Sequence, residues 1–153
     1  MGLIFGTLPH WTEAFSGYGD GSGYGSGSGY GSGYGYGYWS KLAWASIAEW
    51  SESLRTAVRL AINAGSFLAF WRSDKSGKAA NKGKRDFVAA PGLVQEVDGP
   101  LQLCTQNALH ATLNPEKWSG ERLWIVALYG EVQSADDKVG ALKREILGEV
   151  ILR

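Results

Sequence analysis

This chain of 153 residues has almost nothing with which to build a metal centre or a disulfide: one cysteine, Cys104, and two histidines, His10 and His110. One thiol excludes an internal bridge, and the set is too small for a structural zinc site, so neither a metal nor a cofactor is expected. An excess of charge of one sign is also missing. Fifteen Lys and Arg cancel fifteen Asp and Glu, which removes the overall field that draws a protein to nucleic acid or to an anionic membrane surface and leaves only local patches. No apolar run approaches the length of a membrane-spanning helix. The opening MGLIFGTLPHW has neither the basic start nor the long apolar stretch of a signal peptide, and Gly6 stands where a myristoylation motif wants Ser or Thr. The expectation is a protein not secreted through a signal peptide and without a membrane partner. Catalytic signatures are lacking as well. No Ser-His-Asp or Cys-His arrangement stands out, and SGKAANKGK at residues 76–84 has glycine and lysine without the Walker spacing.

What is present is glycine, unevenly placed. Of 22 glycines, eleven occupy every odd position of residues 17–38, GYGDGSGYGSGSGYGSGYGYGY, with only Tyr, Ser or Asp between them. In a strand such alternation puts a bare face on one side and Tyr18, Tyr24, Tyr30, Tyr34, Tyr36 and Tyr38 on the other, a silk-like pattern able to add strands or self-associate. By composition a Gly/Ser-rich segment is equally a linker. The six tyrosines are the candidate interaction residues of this arm. As stacking platforms for single-stranded nucleic acid they lack cations, since Asp20 is the only charge in the tract, and nucleic acid is not an expected partner. Residues 1–16 carry Leu3, Ile4, Phe5, Leu8 and Trp11 and read as a hydrophobic N-terminal anchor. Residues 39–153 remain for one small globular domain.

That domain reads as α+β with a largely antiparallel sheet. From Ser40 to Ala64, Ala43, Ile47, Trp50, Leu54, Val58 and Ala61 recur every three or four residues, which predicts one long amphipathic helix stopped by Gly65. SFLAFWRSD at 66–74 predicts a strand buried at the sheet centre. DFVAA, GLVQEV, LQLCT, RLWIVALYGEV and LKREILGEVIL predict further strands, with Asp98-Gly99-Pro100 as a turn, QSADDKVG as a polar connection and a helical turn after Asn114-Pro115. KSGKAANKGKRD crowds Lys75, Lys78, Lys82, Lys84 and Arg85 into a loop that is either a phosphate grip, using amides freed by Gly77 and Gly83, or a solvated surface. His110, between Leu109 and Ala111, is either a ligand-binding histidine or one bonded within the fold. Cys104 ends an alternating strand and reads as a small buried hydrophobe.

From about residue 66 onward the chain carries a series of short motifs: FLAFWRSD, GPLQLC, ALHA with His110, NPEKW, YGEV at 129–132 and DDK at 136–138. In this order they resemble an uncharacterised domain of unknown function found in bacteriophage and prophage proteins, with Ala108 where that pattern has Gly. The resemblance implies a phage origin and a place in the host cytoplasm or the virion. A more distant similarity is to the split sheet of ADP-ribosyltransferases; on that analogy Arg72 or His110 would bind NAD, and Glu131 or Glu145 would orient the ribose. The leading expectation is a non-enzymatic phage-type structural or protein-interaction protein whose Gly/Tyr arm mediates assembly into a homo-oligomer or docking on a phage or host protein. The alternatives are an ADP-ribosyltransferase-like NAD-binding protein, either an active transferase or a degenerate relative, and a phage inhibitor of a host defence protein. Candidate ligand-binding residues are Arg72, Lys78, Lys82, Lys84, Arg85 and His110; no catalytic residue and no metal ligand is assigned.

Overall fold

The computed structural model describes residues 38–81 and 86–152. The anchor read at 1–16, the arm up to residue 37 with Tyr18, Tyr24, Tyr30, Tyr34 and Tyr36, and the loop cations Lys82, Lys84 and Arg85 lie outside the described residues.

The single helix expected over 40–64 is two: α1 (Trp39–Glu49) and α2 (Glu52–Asn63). Its apolar face is as read, with Ala43, Ile47, Trp50, Val58 and Ala61 all buried. The interruption falls at Trp50 and Ser51, both extended. Ser51 accepts a hydrogen bond from the Leu54 N–H at 3.3 Å, and this capping preference competes with continuing the helix. Trp50 uses the break to donate its indole N–H to the Glu149 carbonyl at 2.9 Å. Its ring lies on Gly148, where a Cβ would come within 2.5 Å of it. Arg55 donates to the Trp50 carbonyl, so the break leaves that oxygen satisfied. Past the end of α2, Gly65 takes φ 82, the left-handed stop read from the sequence.

Seven strands follow: β1 (Phe67–Ser73), β2 (Val94–Glu96), β3 (Leu109–Thr112), β4 (Arg122–Tyr129), β5 (Gln133–Ala135), β6 (Lys138–Ala141) and β7 (Lys143–Glu149). They pair antiparallel throughout in the spatial order β2-β7-β4-β1-β3-β6-β5, so β1 is central as expected. Three segments depart from expectation. DFVAA forms no strand; Phe87 instead packs on Trp71 with ring centroids 5.6 Å apart, and the Ala89 N–H bonds to the Gly77 carbonyl at 2.8 Å. LQLCT is a turn, because Cys104 takes φ 64 and the Thr105 hydroxyl bridges the Gln102 carbonyl and the Asn107 N–H. QSADDKVG is a hairpin, β5 and β6 joined through Asp136-Asp137, with Asp136 at φ 56, a conformation Asp tolerates. The turn after Asn114 is a short 3-10 helix, Pro115–Lys117.

One residue, Leu142, joins β6 to β7, yet the two strands stand four places apart in the sheet. In a flat sheet four places would separate them by roughly 19 Å, whereas two Cα steps span about 7 Å. The sheet therefore curls until the end of β6 meets the start of β7. On one face α1 and α2 cover Leu68, Phe70, Leu123, Ile125 and Leu147. The other face carries Ala69, Trp71, Trp124, Val126, Leu128 and Ile146. No helix among the described residues is long and apolar enough to cross a membrane.

Candidate functional site

Strand alternation sends the neighbours Trp71 and Arg72 of β1 to opposite faces. Arg72 shares the side of Leu68 and Phe70, donating Nε to the Pro115 carbonyl at 2.9 Å and Nη1 to the Gly120 carbonyl at 2.8 Å. It ties segment 115–120 to the sheet, and burial lowers its pKa below the ordinary arginine value. Trp71 borders a cavity of about 610 Å³. The 3-10 segment contributes Lys117 and Trp118 to its wall, the turn before β3 contributes Cys104, and β3, β6 and β7 contribute His110, Lys138 and Arg144. Among the described residues no Asp or Glu lines it.

Arg144 sits just past the Leu142 corner and is 4% exposed. Its Nη1 donates to the His110 carbonyl and its Nη2 to the Gln95 side-chain oxygen, both at 2.6 Å. The guanidinium carbon stands 4.9 Å over the Trp71 ring, a cation–π stack that fixes the plane of the group. Nε is buried as well and has no hydrogen-bond partner among the described residues. No carboxylate pairs with Arg144 among the described residues; Arg122, by contrast, meets Glu149 at 2.8 Å. Burial pulls the Arg144 pKa down to about 9, which leaves it charged at neutral pH.

His110 lines the basin and is bonded within the fold. Its Nε2 accepts the Cys104 N–H at 2.9 Å, which requires that nitrogen to be unprotonated. Burial first, then the charges of Lys138 and Arg144, lower its pKa below 6.5. Cys104 is exposed rather than buried. The turn that holds its backbone against His110 turns its thiol outward, and Lys138 Nζ lies 3.4 Å from Sγ.

The phosphate grip read into the basic loop is not formed by its described part. Asp74 takes the amides such a grip would use: its Oδ1 accepts from Ser76 N at 2.9 Å and Lys78 N at 3.0 Å, and its carbonyl accepts from Gly77 N at 3.0 Å. Lys78 itself is half-buried beside this turn. Glu145 accepts the Tyr129 hydroxyl at 2.7 Å on the face opposite Arg144, and Glu131 is exposed, so neither enters the basin. Tyr38, where the arm meets the domain, is 51% exposed with its ring edge-on to Trp39 at 5.0 Å. Of the candidate ligand-binding residues, His110 alone reaches the basin within the described residues, and Cys104 joins it in the wall.

Trp71, Trp118, Lys138 and Arg144 were not singled out as a site. Arg144 shares a strand face with Ile146, two residues on in KREILGE, but Leu147 on the other face is buried too, so the spacing alone does not single it out. Among the described residues no group of three or more His, Cys, Asp or Glu side chains is placed to hold a metal ion. Comparison with protein-family models, with curated proteins and with solved structures finds no match to this chain.

Proposed function

We propose that this is a non-enzymatic structural or protein-interaction protein, of the phage type its short motifs suggest, in which the α+β domain is a folded base and the Gly/Tyr arm mediates assembly or partner docking. The observation that carries the reading is the strict two-residue alternation of residues 17–38. The domain's own sheet is a poor receiver for it, because the edge strands β2 and β5 are three residues long each. A repeat of eleven Gly-X pairs laid on such an edge would leave most of its backbone groups unpaired. The partner is then another extended segment, either the arm of a second copy or a long edge of another protein. Backbone bonds along the added strand supply affinity and the tyrosine face supplies selectivity. The NAD-binding alternative has less support: Arg72 is engaged by two carbonyls and Glu145 by Tyr129.

Light scattering with negative-stain imaging, on the full chain and on a variant lacking residues 17–38, tests this. The full chain is expected to form a defined oligomer or filament and the variant a folded monomer. Replacing Tyr18, Tyr24, Tyr30, Tyr34 and Tyr36 by Ser should abolish assembly while moving the melting temperature by no more than about 2 °C. Two monomers would remove self-assembly from the reading.

A further inference from the structure

A guanidinium taken out of water is costly unless an opposite charge accompanies it. Among the described residues Arg144 has only neutral acceptors, the His110 carbonyl and the Gln95 side-chain oxygen, and its Nε has none. The basin repeats the same sign around it, since among the described residues Lys117 and Lys138 stand in the wall and no carboxylate does. Trp71 and Trp118 add flat apolar surface beside these cations. The group is also held ready: stacking on Trp71 and two hydrogen bonds set the plane of the Arg144 guanidinium, so little freedom is lost when an anion arrives.

We propose that this basin binds a small-molecule oxyanion, a phosphate ester or a carboxylate, whose charged group is held by Arg144 and Lys138 and whose uncharged part lies against Trp71 and Trp118. The cavity of about 610 Å³ is within the ordinary span of small-molecule sites, about 300 to 1,000 Å³. A bare inorganic anion would leave most of it empty, which calls for a ring or chain on the ligand. The strand backbone of a nucleic acid is a poor fit, because Arg144 is only 4% exposed and is reached by a group that enters the basin.

Calorimetric titration of the full chain with phenyl phosphate, phenylacetate, benzyl alcohol and inorganic phosphate tests the site. At least one of the two aromatic anions is expected to bind saturably, with affinity falling as salt is added. Benzyl alcohol, which has the ring and no charge, should bind about tenfold more weakly or worse, and inorganic phosphate more weakly than phenyl phosphate. The stronger of the two anions identifies the source of the oxyanion. Arg144→Met replaces the buried charge by an apolar chain of similar length, and Lys138→Gln alters a half-buried wall position. Each should weaken the anion about tenfold or more and leave benzyl alcohol unaffected. Thermal melting of the same samples separates a lost site from a lost fold; should Arg144→Met fail to fold, Lys138→Gln decides. Absence of binding by both anions at millimolar concentration, equal affinity for benzyl alcohol, or unchanged anion affinity in the folded variants overturns the proposal.

Discussion

A proton on His110 Nε2 would turn an acceptor into a donor facing the Cys104 N–H, and burial, Lys138 and Arg144 all oppose it. The folded-state pKa therefore lies below the ordinary histidine value of 6.5. As the pH falls through that value the unfolded chain takes up the proton first. Stability is thus fully present above it and is lost between it and the lower folded-state value. The melting temperature should drop as the pH falls below about 6.5, and the drop should shrink in His110→Gln. An equal drop in both proteins would assign the response to other groups. At this scale His110 was legible, because a lone histidine between apolar residues calls for a bond within the fold. Cys104 was not, since its exposure follows from hydroxyl bonds made by Thr105 that leave no trace in an apolar pattern. Arg144 was hidden for another reason: its strand is buried on both faces, with Ile146 and Leu147 both buried, so alternation there does not mark an inside and an outside.

The seat of Trp50 joins three elements: the end of α1, the start of α2 and the bare backbone of β7 at Gly148. A side chain at 148 pushes the ring off and strains the indole bond to Glu149. Gly148→Val is expected to cost about 1 to 3 kcal/mol in chemical denaturation, with a change in tryptophan emission. Wild-type stability would show that the ring has another place to go. Among the elements, β1 and β4 were legible because apolar runs of this length suit strands covered on both faces. The helical face was legible too, but not its interruption, because the spacing of buried residues carries straight through Trp50 and only the cap made by Ser51 declares the break. β5 and β6 escaped notice because polar residues dominate the hairpin, although Asp136-Asp137 was the turn signal.

Across the whole molecule, β1 and β4 are paired without interruption from Phe67 with Leu128 to Ser73 with Arg122, and both lie away from the sheet edges. Amide hydrogen exchange should be slowest in these two strands and fastest in the short edge strands β2 and β5. Slower exchange in β2 than in β1 would contradict this ranking. The α+β class and antiparallel pairing were legible from the number of strands and their turns. The strand order was not, since a meander places sequence neighbours side by side, while β7 leaves β6 at Leu142 and inserts between β2 and β4. That corner leaves the chain no slack. One residue added there would turn every β7 side chain to the opposite face, carrying Arg144 away from the basin and Leu147 away from the helices. Descendants of this sequence can lengthen the exposed segment around 98–100 at small cost, but the distance between Ala141 and Lys143 is closed to insertion and deletion alike.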